Sequence, residues 1–294
     1  MNKDPKSKIR IGVIGGSGLY QMEGLTEVEE HIITTPFGAP SDAIITGTLE
    51  GVRIAFLARH GRGHHIMPTE VNYRANIFAL KSLGVEQVIS VSACGSLREH
   101  LHPGEIVIPN QLFDFTKQRE YTFFGDGLVA HIGTAKPFCP RLSGLLADAV
   151  EEVDDTIHRG GRFITIEGPR FSTKGESHTY RAWGMDIIGM TTSPEAFLAK
   201  EAEMCYTVMA HITDYDVWHE TEEEVSVEVV IRILQQNAAL AQEAIRLLAP
   251  RMDAAERDCE CDETLAAALI TQQEAIPEGT QEKLELIAGK YLNI

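Results

Sequence analysis

Long apolar segments, positive charge and cysteine are all scarce in this sequence, and each shortage excludes a class of protein. No run of about 18 apolar residues occurs, so a transmembrane helix is not expected. The 26 Lys and Arg residues are outnumbered by 43 Asp and Glu residues, and the formal net charge is −17. A charge this negative argues against a protein that holds nucleic acid or an anionic membrane, although a local pocket can still bind a small anion.

The five cysteines are too few and too scattered for the disulfide scaffold of a small secreted protein. The charged segment 1–9 precedes only a short apolar stretch broken by glycines, which does not match a secretory signal peptide. Hydrophobic residues at 44% and charged residues at 23% are typical of an ordinary globular protein. We therefore expect a soluble cytoplasmic protein, long enough at 294 residues to bury a large core.

Short β-branched apolar runs alternate with helical patterns along most of the chain. This alternation predicts an α/β fold, a single domain with a central mixed β-sheet flanked by helices. Strands are expected at Ile9–Ile14, Val52–Leu57, Gln87–Val91, Glu105–Ile108, Phe163–Ile166, Asp186–Ile188 and Tyr206–Ile212. Helices are expected at Tyr73–Leu83, Arg141–Val153 and Pro194–Glu203.

A long amphipathic helix is predicted towards the C-terminus, because apolar residues recur at steps of three and four from Val227 to Leu248. Ser226 is its expected N-cap and Pro250 its expected end. Composition changes after Pro250, so we expect the domain to span 1–250 and a linker with short helices to span 251–294. The tail helices are expected at Leu265–Ile270 and Leu284–Leu292, packed on the same chain or on a neighbouring subunit.

Residues able to do chemistry gather where the predicted strands end, which is where ligands bind in open α/β sheets. The turn Gly15-Gly16-Ser17-Gly18 offers N–H groups and a hydroxyl to an anion, or is a plain glycine turn. Arg59 and His60 follow the next strand, and an arginine fork suits phosphate. Three histidines in this loop also suggest a metal, but their spacing lacks the pattern of the common zinc sites. A solvated basic loop is the remaining alternative, and anion binding is favoured.

The stretch Ser92-Ala93-Cys94-Gly95-Ser96 ends another predicted strand. It offers a hydroxyl and a backbone N–H to the same anion. Cys94 or Ser96 could instead serve as a nucleophile beside one of the histidines, but a cysteine in such a turn usually only packs. Anion binding is favoured here too.

Asp214 and Asp216 end the last predicted strand. Such a pair can bind a cation, or divide labour between a protonated acid and an ionised acceptor, or lie exposed in a turn. No third oxygen ligand follows at the spacing of a calcium loop. Phe171 and Met190, beside two further strand ends, could clamp a flat ring and a sugar, and they suit a core equally well.

Six motifs occur in order, namely IGVIGGSGLY, ARHGRGH, SACGSLRE, TIEGPRFST, IIGMTTSPE and TDYDVW. With these the chain resembles the 5'-methylthioadenosine phosphorylases, in the trimeric branch of the purine nucleoside phosphorylases, from about Ile9 to about Leu248. That family cleaves the N-glycosidic bond of methylthioadenosine with inorganic phosphate, giving adenine and 5-methylthioribose 1-phosphate. The resemblance implies a homotrimeric pentosyltransferase of methionine and purine salvage. It implies no metal and no organic cofactor, since phosphate is a co-substrate.

The resemblance also assigns site residues. The phosphate-binding positions are Ser17, Arg59, His60, Ser92, the backbone of Ala93, and Thr191. The nucleoside positions are Met190 beside the ribose, Phe171 over base and ribose, Asp214 and Asp216 at the adenine, and His64 and His131 near the 5' end. In the family, the residue at the position of His131 comes from the neighbouring subunit.

The chemistry of the residues agrees with this assignment. Asp214 would donate a proton to N7 of the leaving adenine, which requires burial to raise its pKa. Relatives that prefer 6-oxopurines typically carry asparagine at this position. Val227 and Val230 would line an apolar pocket for the S-methyl group, although both also belong to the core stripe of their helix. Relatives that take ordinary nucleosides place histidine where Val227 stands.

Some features depart from the family pattern or leave alternatives. Ser17 and Ser92 stand where some members have threonine, which keeps the hydroxyl. Cys259-x-Cys261 resembles a tail that forms a small disulfide in certain members, and it is equally a reduced pair or half a metal site. Cys139 and Cys205 are a further candidate pair.

Three other functions stay open. The same chemistry on methylthioinosine or another purine nucleoside is the nearest alternative. A nucleosidase that uses water has no need of Arg59 and His60. A non-catalytic purine-binding sensor would not need Asp214 together with a full phosphate set.

Overall fold

The computed structural model describes residues 8–16, 19, 23–154, 156–219 and 227–292, except the side chains of 227–237. Its strands are β1 (Ile11–Gly15), β2 (Thr26–His31), β3 (Ile44–Leu49), β4 (Val52–Ala58), β5 (Gln87–Ser96), β6 (Ile106–Ile108), β7 (Gln111–Phe115), β8 (Ile157–Arg159), β9 (Arg162–Ile166), β10 (Ile187–Gly189) and β11 (Cys205–Asp214). Its α-helices are α1 (Tyr73–Ser82), α2 (Pro140–Glu151), α3 (Lys174–Ala182), α4 (Thr192–Glu201), α5 (Val227–Ala254) and α6 (Glu278–Ala288). Short 3-10 helices lie at Glu260–Glu263, Gln273–Ala275 and Gly289–Tyr291.

All of these strands belong to one mixed sheet. The main path runs β2-β3-β4-β1-β5-β10-β9-β7, while β11 pairs with β5 and β6, and β6 pairs with β8. The neighbouring strands β4, β1, β5 and β11 run parallel, and β10 runs antiparallel to β5. Every residue of β1 is buried, as a parallel strand with both faces covered requires. The predicted α/β fold with a central mixed sheet is therefore confirmed.

Helices cover the sheet and bury two main hydrophobic clusters. One contains α2 and α5 side chains such as Leu142 and Ile245, and the other contains Leu80 of α1 and Leu198 of α4. In β1, Ile11 and Val13 enter the first cluster and Ile14 the second, as the alternation of a strand requires. Among the helices that the structure describes, none is long and apolar enough to cross a membrane.

Each of the predicted strands is present, and β5 and β11 extend furthest beyond their predicted ends. β5 continues to Ser96 and β11 to Asp214, so both motifs lie on strand ends rather than in loops. Five elements were not predicted from the sequence, namely β2, β3, β7, β8 and α3. β2 is mostly exposed and charged, which hides the apolar signal of a strand. α3 carried a readable signal, because Thr173 and Glu176 form a capping box at its start.

Two details of the C-terminal prediction are wrong. Pro250 does not end α5, which continues to Ala254. Packing holds the helix beyond the proline, since Met252 is fully buried and its carbonyl accepts a hydrogen bond from Gln87. Leu265–Ile270 is not helical, because this segment turns and Leu269 forms a β-bridge with Ala130. The predicted N-cap Ser226 lies outside the described residues.

The described part of the tail packs on its own chain. Leu265, Leu284 and Ile287 are buried in the same cluster as Leu80 and Leu198. The helix predicted at Leu284–Leu292 is present as α6, which begins earlier than predicted, at Glu278, and ends at Ala288.

Candidate active site

The register of the central strands brings several predicted residues to one edge of the sheet. Gly15 at the end of β1 lies opposite Ala58, and its carbonyl accepts a hydrogen bond from the Arg59 amide at 3.0 Å. On the other side, Asp214 at the end of β11 lies opposite Gly95 of β5, and Ile188 of β10 also pairs with Gly95. The strand ends therefore converge, as the sequence predicts.

Arg59 is buried and fixed, which rules out a solvated basic loop at this position. Its Nε and Nη2 donate to the two carboxylate oxygens of Glu195 at 2.8 and 3.0 Å. Nη2 also donates to Ser90 Oγ at 2.6 Å, and Nη1 donates to the Val91 carbonyl at 3.3 Å. Among the described residues Nη1 has this one acceptor, so its second N–H remains for a ligand.

Glu195 makes Arg59 a permanent cation. Burial lowers the pKa of the guanidinium, but the adjoining carboxylate raises it more, and the net shift is upward. Glu195 is fully buried and also accepts a hydrogen bond from Tyr206 Oη at 2.7 Å. Glu195 was not among the residues predicted for this site, although an acidic residue in an apolar helical segment signals a buried charge that needs a partner.

His60 is held in one tautomer. Its Nδ1 lies 2.8 Å from the Ile66 carbonyl, so this nitrogen carries the proton. Burial, and then the charge of Arg59, lower the pKa of His60 to about 4. The neutral ring therefore presents Nε2 as an acceptor near neutral pH, ready for a protonated oxygen of an oxyanion.

His64 lies against His60, and their rings stack with centroids 4.4 Å apart. His64 itself is exposed and has a positive φ of 54°. The histidines of this loop form no metal-ligand cluster in the described part of the chain. The metal alternative for this loop therefore has no support.

Ser92 and Thr191 supply hydroxyls close to this edge. Both are buried, at 6% and 5% exposure, and the Thr191 hydroxyl is not used to cap α4. The strands that lead to them are in contact, because a Cβ built on Gly189 would lie 3.5 Å from the Ala93 carbonyl oxygen, an ordinary van der Waals distance. Ala93 is half-buried at the same strand end.

The covalent alternative has no support in the structure. Burial raises the pKa of the Cys94 thiol well above its usual range, so the reactive thiolate is disfavoured. The Ser96 hydroxyl is also buried and donates to the Arg98 carbonyl at 2.8 Å. Both side chains are therefore structural.

Asp214 is a buried carboxyl poised to hold a proton. It is 7% exposed, and a register shift between Ile212 and Asp214 breaks the regular strand pairing. Burial raises its pKa to about 6, although Thr213 Oγ1 and the Asp216 amide each donate to it at 2.7 Å. The alternative of an exposed aspartate pair is therefore wrong.

Asp216 is an acceptor short of donors. It is 6% exposed, and burial raises its pKa, while the Ser177 hydroxyl, the Val217 amide and the Ser172 hydroxyl act in the opposite direction. No described residue makes a regular hydrogen bond to its Oδ2, so the two hydroxyls act through longer contacts. A ligand donor such as an amino group would satisfy this oxygen.

Gly95 was not predicted to have a role at this site. Its lack of a side chain leaves the space that the Asp214 carboxyl occupies. A Cβ built on Gly95 would lie 2.9 Å from Asp214 Oδ1 and 3.0 Å from Ile188 Cγ2. A glycine inside a strand-end motif is the signal that could have found it, since such a glycine marks a close approach.

The loop after β9 lies against Met190. A Cβ built on Gly168 would lie 2.6 Å from Met190 Sδ, and Gly168 has a positive φ of 66°. Buried Arg119, which the sequence analysis also missed, donates to the carbonyls of Glu167 and Ser193 at 2.9 and 2.6 Å. It thereby ties this loop to the start of α4.

Phe171 and His131 lie on the surface of the chain. Phe171 is 36% exposed, so it is not a core residue. His131 is exposed, and its amide donates to the Ala268 carbonyl in the tail at 2.9 Å. Its described contacts do not bring its side chain to the strand ends. Ser17 and the side chains of Val227 and Val230 fall outside the described residues.

One family model, that of the phosphorylase superfamily, matches residues 10–249 of the chain. The S-methyl-5'-thioadenosine phosphorylase of Geobacter sulfurreducens is 56% identical over 283 residues, which cover 96% of this chain and 99% of that protein. The protein of the same name from Gloeobacter violaceus is 54% identical and covers 96% of each chain.

Solved structures are similar over the same length. The crystal structure of a methylthioadenosine phosphorylase from an antarctic soil metagenomic library has a TM-score of 0.92 and 46% identity, over 96% of this chain and 99% of that one. A methylthioadenosine phosphorylase from Schistosoma mansoni in complex with adenine has a TM-score of 0.82 and 37% identity, over 88% and 97%. A mutant of the adenosine/methylthioadenosine phosphorylase of that organism, in complex with methylthioadenosine, has a TM-score of 0.80 and 36% identity, over 88% and 96%.

Proposed function

This chain belongs to the phosphorylase superfamily, and we propose that it cleaves S-methyl-5'-thioadenosine with inorganic phosphate. The products are adenine and 5-methylthioribose 1-phosphate, so the reaction is a pentosyl transfer in methionine and purine salvage. The observation that carries the proposal is Asp214, a buried carboxyl whose pKa is raised to about 6 at the same sheet edge as Arg59. This combination fits an acid for the leaving base and a cation for phosphate.

The phosphate end of the site consists of Arg59, His60, Ser92, Ala93 and Thr191. Breaking the glycosidic bond leaves positive charge on the ribose, and a phosphate held beneath it supplies the compensating anion and the nucleophile. Arg59 is already neutralised by Glu195, so the free Nη1 N–H and the hydroxyls bind phosphate as oriented donors rather than as excess charge. The neutral His60 can accept a hydrogen bond from a protonated phosphate oxygen.

The base end consists of Asp214, Asp216 and Gly95. Negative charge develops on the purine as the bond breaks, and Asp214 in its protonated form donates to N7. Asp216 Oδ2, which lacks a regular donor among the described residues, fits the 6-amino group of adenine. This pairing favours an adenine over a 6-oxopurine, which offers an acceptor at position 6.

The remaining site assignments rest on the family resemblance. Ser17 would complete the phosphate end, while Met190 and Phe171 would face the ribose and base. Val227, Val230 and His64 would surround the 5'-methylthio group, and His131 would reach the site of a neighbouring subunit. Exposure of His131 and Phe171 in the single chain is compatible with such an assembly.

A homotrimer in the cytoplasm is the proposed form of the protein. The proposed chemistry calls for no metal and no organic cofactor, because phosphate itself is the second substrate. Neither nucleic acid nor a membrane is proposed as a partner, in keeping with the net charge of −17.

The decisive assay mixes the purified protein with methylthioadenosine in the presence and absence of phosphate. Adenine is expected only with phosphate, together with a sugar 1-phosphate. Equal adenine release without phosphate would make the protein a nucleosidase, and turnover of methylthioinosine instead would contradict the base assignment. Binding of purine without any turnover would point to a sensor.

A matched pair of arginine variants sharpens this assay. Arg59→Gln should raise the KM for phosphate, because it removes the Nη1 donor. Arg62→Gln changes an exposed arginine of the same loop that pairs with Asp42 and Glu30, so its KM should stay at the wild-type value.

A further inference from the structure

Four of the five cysteines converge at one place in the fold. The Sγ atoms of Cys139, Cys205, Cys259 and Cys261 all lie within 4.8 Å of one another. Cys139 and Cys205 are buried, and the other two are half-buried. These residues come from the start of α2, the first position of β11 and the tail, so distant segments of the chain meet here.

The backbone fixes two of these thiols firmly. The amide of Cys139 donates to the Tyr206 carbonyl, and the amide of Cys205 donates to the Glu86 carbonyl, both at 2.9 Å. The Sγ atoms of Cys205 and Cys259 are 3.4 Å apart. That separation is far from the roughly 2.05 Å of a disulfide bond. It is close to the about 3.8 Å between sulfurs that share a tetrahedral zinc at a Zn–S distance of about 2.3 Å.

Groups that carry positive charge or a positive dipole end lie beside the thiols. The guanidinium of Arg257 contacts Cys205, and its buried Nε has no hydrogen-bond partner among the described residues. Cys139 is the N-cap of α2 and therefore lies at the N-terminal end of that helix. A helix N-terminus and a guanidinium both stabilise negative charge.

A second half-buried arginine lies among the neighbours of the cluster. Arg141 bonds Gln87, which pairs with Cys205 in the sheet, and lies 3.8 Å from Asp258, which precedes Cys259. Its Nε and Nη1 are buried without a hydrogen-bond partner in the described part of the chain. A divalent ion with four thiolates carries a net charge of −2. The two guanidinium groups would offset part of this charge, since each also lies 3.8 Å from a carboxylate, Asp258 for Arg141 and Glu86 for Arg257.

We propose that Cys139, Cys205, Cys259 and Cys261 bind one structural zinc ion as a closed four-thiolate site. Four cysteine ligands leave no open position for a substrate, so the ion has a structural role. It joins the tail to the amino end of β11 and to the start of α2. The site is separate from the proposed phosphorolysis, because Asp214 ends the strand that Cys205 begins, roughly 30 Å away at the rise of a β-strand.

The test measures metal and thiols in the full-length protein, purified in a reducing buffer without chelator. Zinc content by plasma mass spectrometry should be one ion per chain, and a mercurial reagent should release it after reacting with four thiols. Zinc below roughly a tenth of an ion per chain, even after incubation with zinc under reduction, would overturn the proposal. A denatured, unreduced chain lighter by four hydrogens would do the same, since it would contain two disulfides.

Variants separate the cluster from the fifth cysteine. Cys259→Ser should lower the zinc content by roughly tenfold or more, while the matched control Cys94→Ser should keep it, because Cys94 is buried elsewhere. Cys261→His keeps a zinc ligand and should retain the metal even where Cys259→Ser fails to fold. Equal zinc in Cys259→Ser and wild type would contradict the site.

Cobalt gives an independent readout. Replacement of zinc by cobalt(II) should produce the intense visible absorption of a thiolate complex in wild type and in Cys94→Ser, but not in Cys259→Ser. Phosphate-dependent adenine release is measured on the same samples. Loss of zinc with retained activity leaves the proposed function in place, and activity without any zinc binding contradicts only the metal site.

Discussion

The two ends of the candidate site treat buried charge in opposite ways. At the phosphate end, Arg59 is paired with Glu195 and stays ionised, while His60 is pushed to the neutral form. At the base end, Asp214 has hydrogen bonds but no cationic partner among the residues that the structure describes, and burial raises its pKa to about 6. A buried charge with a partner keeps its state, and a buried charge without one becomes titratable. The site therefore combines a fixed binding end with a proton-donating end.

The largest expected effect on stability follows from removing Glu195, the carboxylate that pairs with Arg59 at the phosphate end. Glu195→Gln leaves Arg59 as a buried, uncompensated cation, which we expect to lower the free energy of unfolding by about 3–5 kcal/mol. Urea unfolding measures it. Glu152→Gln, which breaks an exposed pair with Arg251, is the matched control and should cause no resolvable change. Similar effects of the two variants would show that the buried pair has no special role.

At the base end, the raised pKa of Asp214 should make the stability of the protein depend on pH. The folded pKa of Asp214 is about 6, above its ordinary value of 3.8, so folding favours the protonated form at low pH. Wild type should therefore lose roughly 2–3 kcal/mol relative to Asp214→Asn as pH rises from about 4 to 8, mostly below pH 6. Urea unfolding of both proteins across this range measures the difference. A pH-independent difference would contradict the raised pKa.

The close approach of Gly95 to Asp214 should give the smallest effect on stability. Gly95→Ala places a Cβ 2.9 Å from Asp214 Oδ1, and we expect a loss of about 1–3 kcal/mol with reduced turnover. Gly144→Ala is the matched control, since a Cβ there meets nothing within 4 Å inside α2. The control should be neutral or slightly stabilising. Full activity in Gly95→Ala would show that the position of Asp214 does not depend on this glycine.

The sequence predicts which strands lead to Arg59, Ser92 and Asp214, because a largely apolar run precedes each of them. It does not predict the end of β5, which continues past Val91 to Ser96. It does not reveal partners that meet only in three dimensions. Glu195 lies 136 positions from Arg59, and nothing in its local pattern names the arginine it neutralises. Arg119 likewise acts on carbonyls of distant loops.

Particular elements were mispredicted for different physical reasons. β2 is exposed and acidic, so its strand pairing depends on β3 rather than on apolar alternation. Pro250 fails as a helix end because buried Met252 holds the next turn. The cysteine cluster unites positions as distant as Cys139 and Cys261, and spacing alone predicts only the Cys259-x-Cys261 half.

The most direct test of the proton-donating end compares Asp214→Asn with wild type on two substrates. With methylthioadenosine, kcat/KM should fall by about 10²–10⁴-fold, since the variant has no acid for N7. With methylthioinosine the loss should be far smaller, because an amide can donate a hydrogen bond to a 6-oxopurine, and the preference between the two substrates should shift accordingly. An equal loss on both substrates would contradict the role of Asp214 as the acid that releases adenine.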